Sequence, residues 1–175
     1  MNISEKIAET ICCVAEKEDA LLSNLANDGI FFMPELAFAY ECGKAIMSRS
    51  KDIFGTKSPK WIREIDIGNG GPTDLLFELP NEERIAIEFK IRDTSTSYKS
   101  DVNKLARITD SKTTKLFCAL IDVFDTDKPD DGRQWEVEEN SGVSVISILK
   151  KDFPTKQTRY SSPVTCYACI WQVTQ

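Results

Sequence analysis

Residues 61–92, WIREIDIGNGGPTDLLFELPNEERIAIEFKIR, constrain the fold of this chain more than any other stretch. Residues 73–77 and 85–91 are runs of apolar, β-branched and aromatic side chains, and residues 79–83 between them carry the Pro, Asn and acids of a turn. This pattern predicts two paired strands, with a further strand over 61–67 laid beside them. Carboxylates interrupt both runs: Asp74 in the first, Glu88 in the second, with Lys90 two residues on. Side chains alternate along a strand, so Glu88 and Lys90 share one face and Phe89 takes the other. In a hairpin, Asp74 near the start of one strand lies beside Glu88 near the end of its partner. Two carboxylates and an ammonium are therefore expected in one small patch.

That patch suits metal-assisted phosphodiester hydrolysis. Mg²⁺ or Mn²⁺ takes oxygen ligands from one or two carboxylates, keeps several waters and completes its shell on substrate phosphate. The ion lowers the pKa of a bound water and steadies charge on the phosphate, while a nearby Lys orients or deprotonates that water. Pro72-Thr73-Asp74, thirteen residues, then Glu88-Phe89-Lys90 resembles the PD-(D/E)xK signature of the restriction-endonuclease-like nucleases. The resemblance implies an αβββαβ core with a mixed central sheet flanked by helices, spanning residues 34–124, and a DNA or RNA substrate. It implies Asp74 and Glu88 as ligands of Mg²⁺ or Mn²⁺, with Lys90 positioning the attacking water. Thr73 stands between Pro72 and Asp74, a relaxed form of the signature. Glu35, in PELAFAYECGKAIM, matches the metal-binding Glu that many members supply from the helix before the sheet, and Glu64 is a weaker candidate ligand.

Each of these residues also has a purely structural reading. A Glu and a Lys at i, i+2 fit a solvated strand face, and Asp74 fits a turn residue after Gly70-Gly71-Pro72. Glu35 at the head of a helix favours the helix dipole, and Glu64 fits a solvated edge. Ile85, Ile87, Phe89 and Ile91 fill one strand face and leave Ala86 beside Glu88 and Lys90 on the other. The continuous run Leu75-Leu76-Phe77, by contrast, fits a strand covered on both sides.

The remaining segments fit around this hairpin. Residues 4–27 predict a helix with Ile7, Ile11, Val14, Ala15, Leu21, Leu22 and Leu25 at helical spacing, stopped by Asp28-Gly29. A second helix over 34–48 opens on Pro34, with Leu36, Ala37, Ala39, Tyr40, Gly43, Ala45 and Ile46 toward the sheet and Phe38 and Glu41 on the opposite face. A helix over 98–109 turns Val102, Leu105, Ala106 and Ile108 inward and leaves Lys99, Lys104 and Arg107 free. With Lys112 and Lys115 these are the densest positive charges in the chain, and the resemblance makes them candidates to hold phosphates. Residues 116–124 predict a buried central strand, 125–132 an acidic loop, and 143–149 and 164–173 further strands. Tyr160, Tyr167 and Trp171 fit either base stacking or the core.

Composition narrows the classes. With 175 residues, 41% of them hydrophobic, the chain is expected to form one domain: N-terminal helices over 4–48, a core over 60–124 and a C-terminal strand extension over 133–175. His is absent, which removes catalysis by a His general base and leaves carboxylate and Lys chemistry. Cys166-Tyr-Ala-Cys169 has metal-like spacing, but no second such pair exists, so the six cysteines are expected reduced and mostly buried. No apolar run approaches the roughly 18 residues of a membrane span, and MNISEKIAET lacks the apolar core of a signal peptide, which predicts a cytoplasmic protein without a membrane partner. A net charge of −6 argues against a broad nucleic-acid footprint, though not against a local basic groove. The same acidity carries a second expectation, a catalytically silent immunity or inhibitor protein of this fold that binds a basic toxin or nuclease. A homodimer, or a subunit that takes its specificity from another polypeptide, is equally compatible.

Overall fold

The apolar runs build one six-stranded mixed sheet flanked by helices in the computed structural model, which describes residues 1–56, 58–124 and 132–174. Helix α1 (Ile3–Ala26), a 3-10 turn (Ile30–Phe32), α2 (Glu35–Ser48) and α3 (Ser50–Phe54) precede three consecutive strands, β1 (Lys60–Asp66), β2 (Pro72–Glu78) and β3 (Arg84–Ile91). Helix α4 (Ser95–Ala106) then crosses over to β4 (Thr113–Val123), followed by α5 (Arg133–Glu138), β5 (Val145–Pro154) and β6 (Thr165–Val173). The strand order is β1-β2-β3-β4-β6-β5. Only β3 and β4 run parallel, as a helical crossover requires, and every other neighbouring pair is antiparallel. The expected acidic loop over 125–132 falls largely on residues 125–131, outside the described residues.

Strand alternation sorts the sheet into two apolar faces. Leu75, Phe77, Ile85, Ile87, Phe89, Leu116, Cys118 and Leu120 pack beneath α1 and α2. Leu76, Ala86, Phe117, Ala119, Ile121 and Trp171 pack beneath α4 and α5. Cys166 and Cys169, three apart on β6, fall in different clusters and face opposite sides, so their spacing does not chelate one ion. All six cysteines are free thiols, and only Cys13 is exposed.

Local chemistry fixes the helix ends. At the start of α1, Asn2 Oδ1 accepts from Glu5 N at 2.9 Å while Glu5 Oε2 accepts from Asn2 N at 2.8 Å, a reciprocal cap. The helix ends on Asn27 in the left-handed region, one residue before the expected stop. Gly43 lets α2 lie against β1: a Cβ there would stand 2.2 Å from Trp61 Cζ2.

Several expected faces turn out differently. In α2, Phe38 is fully buried beside Cys42 and Ile46, while Leu36 and Tyr40 are exposed, because the sheet-facing stripe follows Phe38, Ala39, Cys42 and Ile46. The far end of α1 overhangs the sheet, so Leu21 and Leu25 are exposed and Asp19 is buried instead. Strand β1 turns over at Glu64, whose φ is 49°; Ile65 and Ile67 therefore face the same cluster as Ile62, and Trp61 faces the other. The C-terminal extension contains a helix, α5, and β5 runs on through Pro154 into a segment of polar composition.

The burial of Phe38 gives a direct test of the α2 face. Phe38→Ala is expected to cost about 3–5 kcal/mol in urea unfolding, and Leu36→Ala no more than about 0.5 kcal/mol. A larger loss for Leu36→Ala than for Phe38→Ala would mean that the helix presents the opposite side to the sheet.

Candidate active site

The sheet forks where the sequence placed its charged residues. Cα pairing of β2 with β3 stops at Leu75 and Ile87, whereas β3 stays paired with β4 as far as Ile91 and Leu120. Beyond the fork, β3 has backbone N–H groups with no strand to receive them. Two carboxylates take that role: Asp74 Oδ2 accepts from Phe89 N at 2.8 Å, and Glu35 Oε2 accepts from Ile91 N at 3.3 Å. Asp74 reaches across from β2, and Glu35 descends from the first turn of α2.

The fork is closed on the other side by α4. Lys90 Nζ lies 3.0 Å from Glu35 Oε1 and 3.1 Å from Asp101 Oδ2, so its ammonium is held between two helices. Lys104 Nζ lies 2.8 Å from Glu88 Oε1 and donates to the Pro72 carbonyl at 2.8 Å. Glu88 is only 1% exposed. Its Oε1, like Asp101 Oδ2, has an ammonium at ionic distance but no donor in hydrogen-bond alignment. Asp74, Glu88 and Lys90 thus come together as the sequence predicts, and Glu35 joins them.

Four carboxylates, Glu35, Asp74, Glu88 and Asp101, face two ammoniums, so the fork carries a deficit of two positive charges when every group is ionised. The titrations follow first from burial, and the deficit adds to it. Burial pushes the Glu88 carboxyl up to about 8; the Lys104 ammonium opposes this and the Asp74 charge adds to it. Burial also raises Glu35 and Asp74, against the hydrogen bond from Lys90 in the first case and from Phe89 N in the second. Burial works to lower Lys90, but the hydrogen bond to Glu35 and the charge of Asp101 outweigh it and hold the ammonium above its usual range. Lys90 is therefore a fixed proton donor at neutral pH.

Other expected site residues lie elsewhere or in other states. Glu64 is exposed, and among the described residues no hydrogen bond or ion pair ties it to the fork. The expected free face of Lys99, Lys104 and Arg107 is engaged instead. Lys99 pairs with Glu136 at 2.7 Å, Lys104 with Glu88, and Arg107 Nη1 donates to the Asn69 carbonyl at 3.4 Å. Of the downstream lysines, Lys112 pairs with Glu82, while Lys115 is buried and donates to the Ile108 carbonyl, its burial lowering its pKa. Acids thus converge on Asp74, but the basic rim from Lys99 to Lys115 is spent on ion pairs and burial. Asp101 is the site residue that sequence reasoning missed. Its signal was helical: it lies one turn from Tyr98 and Leu105, both buried, and so flanks the stripe that faces the sheet.

Among the described residues, no group of three or more His, Cys, Asp or Glu side chains is gathered in the form of a ready-made metal site. None of the described helices is long and apolar enough to cross a membrane. A scan against protein-family models, a search of curated proteins and a search of solved structures each return no match.

The raised carboxyls set a sign for the pH dependence of the metal-free protein. A carboxyl whose folded pKa lies above its unfolded value binds its proton more tightly when folded, so stability falls as pH rises between the two values. For Glu88 that window runs from about 4.5 to about 8. Carbon NMR is expected to show a Glu88 carboxyl midpoint near the upper limit, and Glu88→Gln to flatten the loss of stability across this window. A Glu88 midpoint at the ordinary value of 4.5 would remove the burial argument.

Proposed function

We propose that the chain is a metal-dependent nuclease of the PD-(D/E)xK type, built on a restriction-endonuclease-like core. The order from α2 through β1, β2, β3 and α4 to β4 supports the αβββαβ reading, with α3 as an addition. The observation that carries the proposal is the charge deficit at the fork. Buried carboxylates that outnumber their ammoniums must either take up protons or bind a cation. The deficit of two matches one divalent ion. Glu88 and Asp74 offer adjacent hard oxygen donors, and Glu88 Oε1 is a buried oxygen without an aligned donor, so the residues fit such an ion. When bound, it supplies an acidic water and stabilises phosphate charge.

The chain's own groups take distinct parts. Asp74 and Glu88 would hold the ion, with Glu35 as an auxiliary ligand. Glu88 would then have to ionise, which a nearby dication favours. Lys104 would leave Glu88 and turn toward solvent, where substrate phosphate offers it a new partner. Lys90, pinned by Glu35 and Asp101, would donate to the attacking water and orient it, since a strongly held ammonium cannot serve as a base.

One observation favours the second reading, a silent protein of the same fold that binds a basic partner. Lys104 bridges Glu88 and the Pro72 carbonyl, so an internal cation already stands beside the would-be ligand. In a silent protein that contact would be permanent. Asp74→Asn separates the two readings, because its oxygen can still accept from Phe89 N. Calorimetry is expected to show Mn²⁺ binding by the wild type and none by Asp74→Asn, and cleavage of DNA or RNA to fall by about a hundredfold or more in both Asp74→Asn and Lys90→Ala. Cleavage at the wild-type rate by either variant sinks the assignment. Absence of Mn²⁺ binding by the wild type, with and without oligonucleotide, turns the choice to the silent reading.

A further inference from the structure

Beside the fork, four segments bring aromatic rings and arginines to one surface. Arg92 lies two residues beyond Lys90, its amide still donating to the Leu120 carbonyl at 2.9 Å. Phe124 follows the end of β4, the parallel neighbour of β3, and Phe32 lies three residues before Glu35. Tyr160 and Arg159 come from the loop between β5 and β6. The Tyr160 ring centre is 5.2 Å from Phe32 and 5.2 Å from Phe124, edge-on to the latter. The Arg159 guanidinium covers Phe32 at 4.2 Å, and that of Arg92 sits 5.3 Å from Phe32 and 5.8 Å from Tyr160, whose hydroxyl it also contacts.

Two features of this surface bear on what it could hold. Among the described residues no carboxylate pairs with Arg92, although the protein carries a net charge of −6 and its lysines from Lys99 to Lys112 are paired. Phe124, 50% exposed, shows ring surface to solvent on the Tyr160 ring that Arg92 also contacts. The geometry points to a base-stacking platform: Phe124, Tyr160 and Arg92 hold the unpaired bases of a single-stranded nucleic acid whose backbone runs on into the carboxylate fork. The inference rests on the nuclease reading for the identity of the neighbouring site. Exposed rings take bases by their faces, guanidiniums add cation–π and phosphate contacts, and both act only on bases that are not already stacked in a duplex. Arg159 is neutralised by Asp28 at 2.9 Å, but a basic protein partner would still be repelled by Arg92, and a helical duplex would present its backbone rather than its base faces.

The test is fluorescence anisotropy in EDTA, which separates binding from cleavage, with three labelled probes: single-stranded oligothymidine of about a dozen nucleotides, an abasic strand of equal length and the thymidine–adenine duplex. Oligothymidine is expected to bind at least about tenfold more tightly than the abasic strand, and Phe124→Ala or Arg92→Ala to abolish most of that preference. Asp74→Asn is expected to keep it. Equal affinity of the wild type for the base-bearing and abasic strands overturns the platform, as does a preference unchanged in Phe124→Ala or tighter binding of the duplex. Cleavage by the wild type without base preference would reject the platform and leave the nuclease standing. Base preference in a protein that cuts nothing would do the reverse.

Discussion

An excess of buried and half-buried carboxylates over ammoniums sets the terms for everything at the forked end of the sheet. Removing one carboxylate from water costs several kcal/mol unless a counter-charge or donors replace the hydration. Glu88 sits on a strand face that is otherwise Ala86 and apolar helix, with one ammonium at 2.8 Å. Asp101 and Glu35 share a single Lys90. The molecule has three ways to relieve this: proton uptake, favoured by the burial that raises Glu88; backbone N–H groups lent to Asp74 and Glu35; and burial of the stems of two lysines so that their heads stay in the cluster. A hard dication would relieve it more completely than any of them, which is the physical root of the nuclease reading.

The same carboxylates serve the fold. Where β2 diverges, the edge of β3 would be left with unpaired donors, a position that costs free energy when buried and invites pairing with other chains. Asp74 and Glu35 terminate that edge. A structural role and the proposed metal-binding role would therefore rest on the same two carboxylates, each of which has one oxygen committed to backbone. This dual use explains why the two readings of these residues, plain and chemical, were not alternatives that sequence alone could separate.

What was legible in the sequence was whatever depends on chain-local pattern. The turn at 79–83 between β-rich runs fixed the hairpin, and with it the meeting of Asp74 with Glu88 and Lys90. The start of the second helix followed from Pro34, and the end of the first was placed one residue late, at Asp28-Gly29 rather than at the left-handed Asn27. What was illegible depends on how elements dock. Leu36 and Phe38 have similar hydrophobicity, and only the angle at which α2 lies on the sheet decides which is buried. Glu64 shifts β1 by a single backbone rotation that no side-chain pattern announces. The lysines of α4 looked free because their partners, Glu88 and Glu136, are distant in sequence and are brought near only by the crossover and by α5.

Charge placement would reconcile an acidic chain with the proposed nucleic-acid substrate. Long-range attraction to a polyanion follows net charge and is weak for a protein at −6, particularly once salt screens it beyond about 10 Å. Short-range affinity follows local groups: among the described residues no carboxylate pairs with Arg92, and on the nuclease reading Lys104 would exchange a carboxylate for a phosphate. Contacts of that kind form after encounter and lengthen residence rather than speed arrival. An acidic exterior around such a site disfavours continuous duplex, whose charge density is high along its whole length, more than it disfavours a short flexible strand. On the nuclease reading, the electrostatics of the whole protein and the aromatic surface beside the fork would favour the same kind of ligand, one with few phosphates in reach and its bases free.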